Sequence, residues 1–185
     1  GEEGYLVNLQ LRPGNDHSQK GTEVFLWRTL RYARMMSQAT ILVRLDSGND
    51  SLDNIKVCRQ EKAHYIIKRN LRGETPEEWL EIARECGQME EPRPGKQVWL
   101  GEQYIKRPGI KEPLRLVFCV TLRTTEADGQ ALLIPRLEVE TYWTSLSDDA
   151  ATVVRLYRAH GTSEQFHSEL KTDLGLERLP SGKFQ

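Results

Sequence analysis

No stretch of the 185 residues approaches the roughly 20 consecutive apolar residues that a membrane-spanning helix needs, and the first residues do not read as a signal sequence. Cysteine is scarce. Cys58, Cys86 and Cys119 are odd in number, widely spaced and without a C-x-x-C pair. That argues against a disulfide framework and a thiolate zinc site, and a reducing compartment fits. The four histidines are scattered, with no His/Asp metal-ligand cluster of the kind metal phosphoesterases use. A large excess of one charge is missing too. Charged residues make up 29% of the chain yet cancel to −1, so the totals do not announce a dedicated basic nucleic-acid-binding domain. Two local clusters remain, Arg59, Lys62, Lys68, Arg69 and Arg72, and Lys106, Arg107 and Lys111. Each reads either as solvated surface or as a phosphate footprint. No internal repeat or low-complexity tract appears.

What is present has the texture of a folded α/β chain with enough length for one domain and an inserted subdomain. Tyr5 to Arg12 alternates as a half-buried strand and stops at Pro13-Gly14-Asn15. Leu26, Leu30 and Ala33 then recur at helical spacing, which predicts a helix from an N-cap at Thr22 to about Ser37. Thr40 to Leu45 is a compact strand ending at Asp46-Ser47-Gly48. Ser51 or Asp53 caps a short helix to about Lys62, and His64 to Lys68 is a further strand. Strand, helix, strand in this order predicts parallel neighbours in a sheet.

Beyond Arg72 the pattern changes. Thr75-Pro76-Glu77-Glu78 reads as an N-cap, Pro at the first helical position and an acidic first turn, opening a helix to about Cys86. Glu91 to Gly95 reads as a breaker. Three strands follow, at Val98 to Ile105, Leu114 to Leu122 and Leu133 to Glu140, joined in part by a hairpin at Glu126 to Gly129. Trp99, Tyr104, Tyr142 and Trp143 are read as packing groups before stacking platforms for bases, as are Trp27 and Tyr32. Ser147-Asp148-Asp149 caps a final helix packed through Val153, Val154 and Tyr157.

Two acidic positions stand out. Asp46 lies just past the carboxyl end of a buried strand, where sheet-edge sites form. Asp-Ser-Gly is equally ordinary turn chemistry. Read as a helix, Glu164, His167 and Lys171 share one face, opposite Phe166 and Leu170. This is either a wall for a metal or phosphate or a solvated face. Glu169 is the rival carboxylate on the same helix, and Asn15 and His17 lie near the first turn.

Tyr157, His160, Glu164 and Lys171 stand at the spacing of a Y-x2-R-x3-E-x6-K signature, with His160 in the arginine slot. Together with LRPGNDHSQKG (from Leu11), LVRLDSGNDS (from Leu42) and the tail HGTSEQFHSELKTDLGLERLPSGKF, this resembles the DDE insertion-sequence transposases. The resemblance implies an α/β fold, a partial ribonuclease-H-like core with an inserted antiparallel β-rich subdomain. Its expected divisions are residues 1–71 and 147–185 for the core and 72–146 for the insertion.

The resemblance also implies metal-dependent DNA strand cleavage and strand transfer at insertion-sequence ends. Asp46 and Glu164 would be catalytic carboxylates and ligands of Mg²⁺ or Mn²⁺, and Tyr157, His160, His167 and Lys171 would contact DNA. An imidazole at 160 cannot make the two-pronged phosphate contact of a guanidinium. The family's first catalytic aspartate is expected upstream of the LRPGN segment. The chain is therefore expected to be an internal part of a longer transposase, inactive alone, working as a homodimer on DNA in the bacterial cytoplasm and nucleoid. The alternative is a non-enzymatic DNA- or protein-binding α/β module.

Overall fold

A computed structural model of the chain describes residues 6–10 and 20–159. Four helices and six strands lie within them. The helices are α1 (Thr22–Met36), α2 (Leu52–Gln60), α3 (Pro76–Cys86) and α4 (Ala150–Arg158). The strands are β1 (Leu42–Leu45), β2 (His64–Arg69), β3 (Gln88–Arg93), β4 (Lys96–Ile105), β5 (Leu114–Thr125) and β6 (Ala131–Thr144). They form one mixed sheet in the order β1-β2-β6-β5-β4-β3. β1 and β2 are parallel, linked by α2, and the remaining pairs are antiparallel. Four residues at the end of β6 (Thr141 to Thr144) pair with β2, while the length of β6 pairs with β5. β6 thus joins the β-rich half of the chain to the parallel pair.

Alternation decides which side of the sheet each residue meets. Val43, Tyr65, Ile67, Leu114, Leu116, Phe118, Val120 and Trp143 pack on the side of α1, α2 and α3. Ile66, Val117, Cys119 and Tyr142 pack on the other side, against Val153 and Val154 of α4. The apolar alternation of Leu114, Leu116, Phe118 and Val120 marks one buried face of β5, and α4 buries the second as well. Burial pushes the Cys58 thiol up to about 12, consistent with a packing role.

Local chemistry explains most boundaries. Ser51 caps α2 by accepting from the Asp53 amide. Thr75 and Glu78 form a reciprocal capping box at α3, with Pro76 in the first turn. Asp149 caps α4, accepting from both the amide and the hydroxyl of Thr152. At α1 the cap is Gly21 at φ 72°, with Thr22 already helical, in place of the expected Thr22 cap.

Further expectations change. Residues 6–10 belong to no helix or strand, although they alternate. Among the described residues no strand pairs with them, and alternation alone supplies no ladder. The breaker at 91–95 is instead the end of β3 and its hairpin turn, with Gly95 at φ 75°. β3 carries charges on both faces and a proline, which an edge strand tolerates because one side of its backbone needs no partner. Leu133 is fully exposed, since β6 outruns the helices that cover the sheet. Trp99, Tyr142 and Trp143 are core residues, whereas Tyr104 and Tyr32 are exposed. No described helix is long and apolar enough to cross a membrane.

Candidate active site

Asp46 immediately follows β1. Its backbone is extended (φ −74°, ψ 175°), so the alternation of the strand continues through it. Leu42 packs with the α4-side core, and Arg44 donates from Nη1 to the Leu156 carbonyl of α4 at 2.9 Å. Asp46 shares their parity, about 7 Å along the strand from Arg44. Its side chain is exposed, and Oδ1 accepts from Asn49 Nδ2 at 2.8 Å. Among the described residues no cation pairs with it. The carboxylate is thus oriented by a neutral amide without being neutralised.

The contact of Arg44 with Leu156 places a guanidinium at the negative end of the α4 dipole. It also fixes the last turn of that helix beside β1. Tyr157, in that turn, packs its ring on Tyr142 with centroids 4.6 Å apart. Arg158 pairs with Glu140 of β6, and Lys68 of β2 reaches the same carboxylate at 3.2 Å. Burial pushes the Glu140 carboxyl upward, but the hydrogen bonds and charge of Arg158, helped by Lys68, overcome it and hold the group below the usual carboxylate range. Opposing demands also act on Arg158, where Glu140 outweighs burial and raises its pKa. Arg44, Lys68 and Arg158 thus share the α4 side of the sheet with Glu140, which pairs with both Lys68 and Arg158.

Sequence reading singled out Tyr157 but passed over Arg44, Glu140 and Arg158. Arg44 was detectable, because it stands two residues before Asp46 on one strand. Glu140 and Arg158 meet only through tertiary contact. The first basic cluster is divided by the fold. Lys68 faces α4, whereas Arg69 is buried on the other side in a two-pronged pair with Glu74, at 2.7 Å for each contact. Arg107 and Arg69 both lie over the Trp143 ring, at 5.3 and 5.6 Å from its centre.

Of the sequence-predicted site residues, Asp46 and Tyr157 fall within the described part. His160, Glu164, His167 and Lys171 lie outside the described residues, as do the rival Glu169 and the loop residues Asn15 and His17. Among the described residues no group of three or more His, Cys, Asp or Glu is arranged to hold a metal ion. Asp46 nevertheless offers the donor that Mg²⁺ or Mn²⁺ prefers: a hard, ionisable oxygen, solvent-accessible and free of a competing cation among those residues.

A mixed α/β sheet with an accessible carboxylate just past the carboxyl end of a parallel strand defines an α/β protein with a candidate site at that strand end. The family model of the transposase DDE domain, group 1, matches residues 1–185. The chain belongs to that family. No curated protein matches it. Membership makes this a transposase domain, with DNA as its partner and divalent metals as the cofactors such transposases generally use.

Proposed function

We propose that the chain contributes Asp46 and Glu164 to the carboxylate set of a DDE transposase that cleaves DNA and transfers strands at insertion-sequence ends. The observation that carries this reading is the position of Asp46, exposed at the end of β1 on the side where Arg44 holds the last described turn of α4. That turn leads directly into residues 160–171, which hold the rest of the signature. In the same reading α1, β1, α2, β2 and α4 belong to a ribonuclease-H-like core, and α3 with β3 to β6 is its β-rich insertion. The parallel β1–β2 pair followed by an antiparallel run supports it.

The reaction is in-line attack of water, and then of a freed 3′-hydroxyl, on a phosphodiester. Two divalent ions, Mg²⁺ or Mn²⁺, about 3.5–4 Å apart supply nucleophile activation and leaving-group neutralisation when bound. Asp46 and Glu164 would hold them with hard oxygens, together with a third carboxylate. Tyr157, His160, His167 and Lys171 would line the cleaved strand's backbone, Lys171 as a point charge. Lys68 and Arg158 join them as phosphate contacts. Arg158 brings a guanidinium two residues from the imidazole in the signature's arginine slot. A homodimer suits chemistry on two DNA ends, and free thiols suit the bacterial cytoplasm.

The test is Asp46→Ala in the intact transposase that carries this segment. Metal-assisted charge stabilisation is worth several kcal/mol, so end cleavage in Mg²⁺ is expected to fall about a thousandfold with DNA binding retained. Cleavage within tenfold of wild type would make Asp46 a turn residue and remove the reading.

A further inference from the structure

The loop from Asp46 to Asp50 is held by side chains from three other elements. Asn70, just beyond β2, donates from Nδ2 to the Ser47 carbonyl at 2.5 Å. Asn54 of α2, 1% exposed, donates from Nδ2 to the Asn49 carbonyl at 2.9 Å. Asp50, at 8% exposure, is the centre of the arrangement. Its Oδ1 accepts from the indole Nε1 of Trp143 at 3.1 Å, and its Oδ2 accepts from the backbone amide of Asn70 at 3.1 Å. Arg72 adds a contact to Oδ2 at 3.3 Å and one to the Asp50 carbonyl at 2.8 Å. Trp143 is itself 2% exposed and lies in β6, distant in sequence from the loop it grips.

We infer that Asp50 is a positioning residue, latched by Trp143 and Asn70, that fixes the loop presenting Asp46. The chemistry is selective. Trp143 Nε1 and the Asn70 amide are both obligate donors, so the group between them has to accept on both sides. A carboxylate does so. An asparagine, in either orientation, turns its NH₂ toward one of the two N–H groups, leaving unmatched either the buried indole N–H or the part-buried Asn70 amide. Asn49 sits between the latch and Asp46, with its own amide on the Asp46 carboxylate, so a loop released at Asp50 loses the orientation of Asp46. By this route the β-rich half of the chain sets the geometry of a carboxylate on the parallel pair.

The inference rests on the catalytic reading of Asp46, and a double-substitution cycle separates the two. In this chain, hydrogen exchange of the 46–50 amides is read for Asp50→Asn, Trp143→Phe and the pair. In the intact transposase the same variants are read for the Mn²⁺ concentration giving half-maximal cleavage and for DNA affinity. Losing one matched buried hydrogen bond is expected to raise loop exchange and the Mn²⁺ midpoint in D50N each by about tenfold, with DNA affinity unchanged.

The W143F substitution leaves a phenyl ring with no N–H to oppose the asparagine NH₂. Added to D50N it is therefore expected to recover part of both effects, a coupling that general loss of stability would not produce. Effects that simply add, or D50N values within twofold of wild type, would overturn the latch. Should D50N fail to fold, W143F alone carries the test, since a phenyl group keeps an aromatic ring in the core while stranding Oδ1. Unchanged loop exchange in W143F would overturn the latch in that case. If D46A cleaves normally while D50N still loosens the loop, the catalytic reading fails and the latch on the loop stands.

Discussion

Gly101 lies on β4 directly across from Phe118 of β5, and the ring of Phe118 occupies the space a side chain would need. A Cβ built at position 101 would stand 2.3 Å from Phe118 Cζ, 2.9 Å from Cε1 and 3.0 Å from Cε2. Carbon atoms in contact sit about 3.5–4.0 Å apart, so more than 1 Å of overlap has to be relieved. The ring has little room to yield. Phe118 is fully buried, and Trp79 of α3 packs against it with centroids 5.7 Å apart.

Gly101→Ala is therefore an overpacking substitution, expected to cost about 1–3 kcal/mol. For a protein of this size each kcal/mol shifts the midpoint by about 2–4 °C, so Tm is expected to fall by roughly 2–12 °C. Denaturant unfolding should lower the midpoint with an unchanged slope, because the surface exposed on unfolding is the same. Adding Phe118→Leu removes the clashing ring, and the pair is expected to cost less than the sum of its parts. A G101A protein melting within about 1 °C of wild type would refute the placement of Phe118 over this glycine, and with it the packing of α3 on the sheet.

The buried Arg69 makes a second prediction through its partner. The hydrogen bonds from Arg69 hold Glu74 below its ordinary value of 4.5. A depressed carboxylate contributes stability that is present above 4.5 and lost as pH falls through the lowered value. Glu74→Gln is expected to destabilise by about 1 kcal/mol at pH 7, discounted because Glu74 is 37% exposed, and the difference should shrink in unfolding curves as pH falls below 4.5. An equal deficit at both pH values would contradict it. For DNA, Lys68→Gln and Arg158→Gln are each expected to lower the slope of log affinity against log salt by about 1, weakening all sequences alike. An unchanged slope would remove those two residues from the phosphate contacts.

Short-range chemistry was legible along the chain. Thr75-Pro76-Glu77-Glu78 specifies the start of α3 because the capping groups lie within one turn of each other. Asp46 was recognisable because a short β-branched run ending in Asp-Ser-Gly fixes both the strand and its carboxyl end. β3 was not legible, since its stability comes from pairing with β4 and its own residues carry neither alternation nor apolar character. Trp143 was read as a packing group, which it is, but its indole N–H has a second task that only its distant partner defines. Tyr104 carried the same signal as Tyr142 and came out exposed, because a strand pattern does not say which stretch a helix will cover.

The sequence by itself determined the four helices, the parallel pair joined by α2, the core places of Trp99, Tyr142 and Trp143, and the position of Asp46 at a strand end. Those features depend on periodicity and capping over a few residues, which the chain carries within itself. Tertiary structure alone decided that β6 joins both halves into one sheet and that Arg44 seats α4 beside Asp46. It also decided that Asp50 lies between two obligate donors. Such contacts join residues tens of positions apart, and their energies come from matching a buried donor to a buried acceptor across the fold. No local pattern encodes that match.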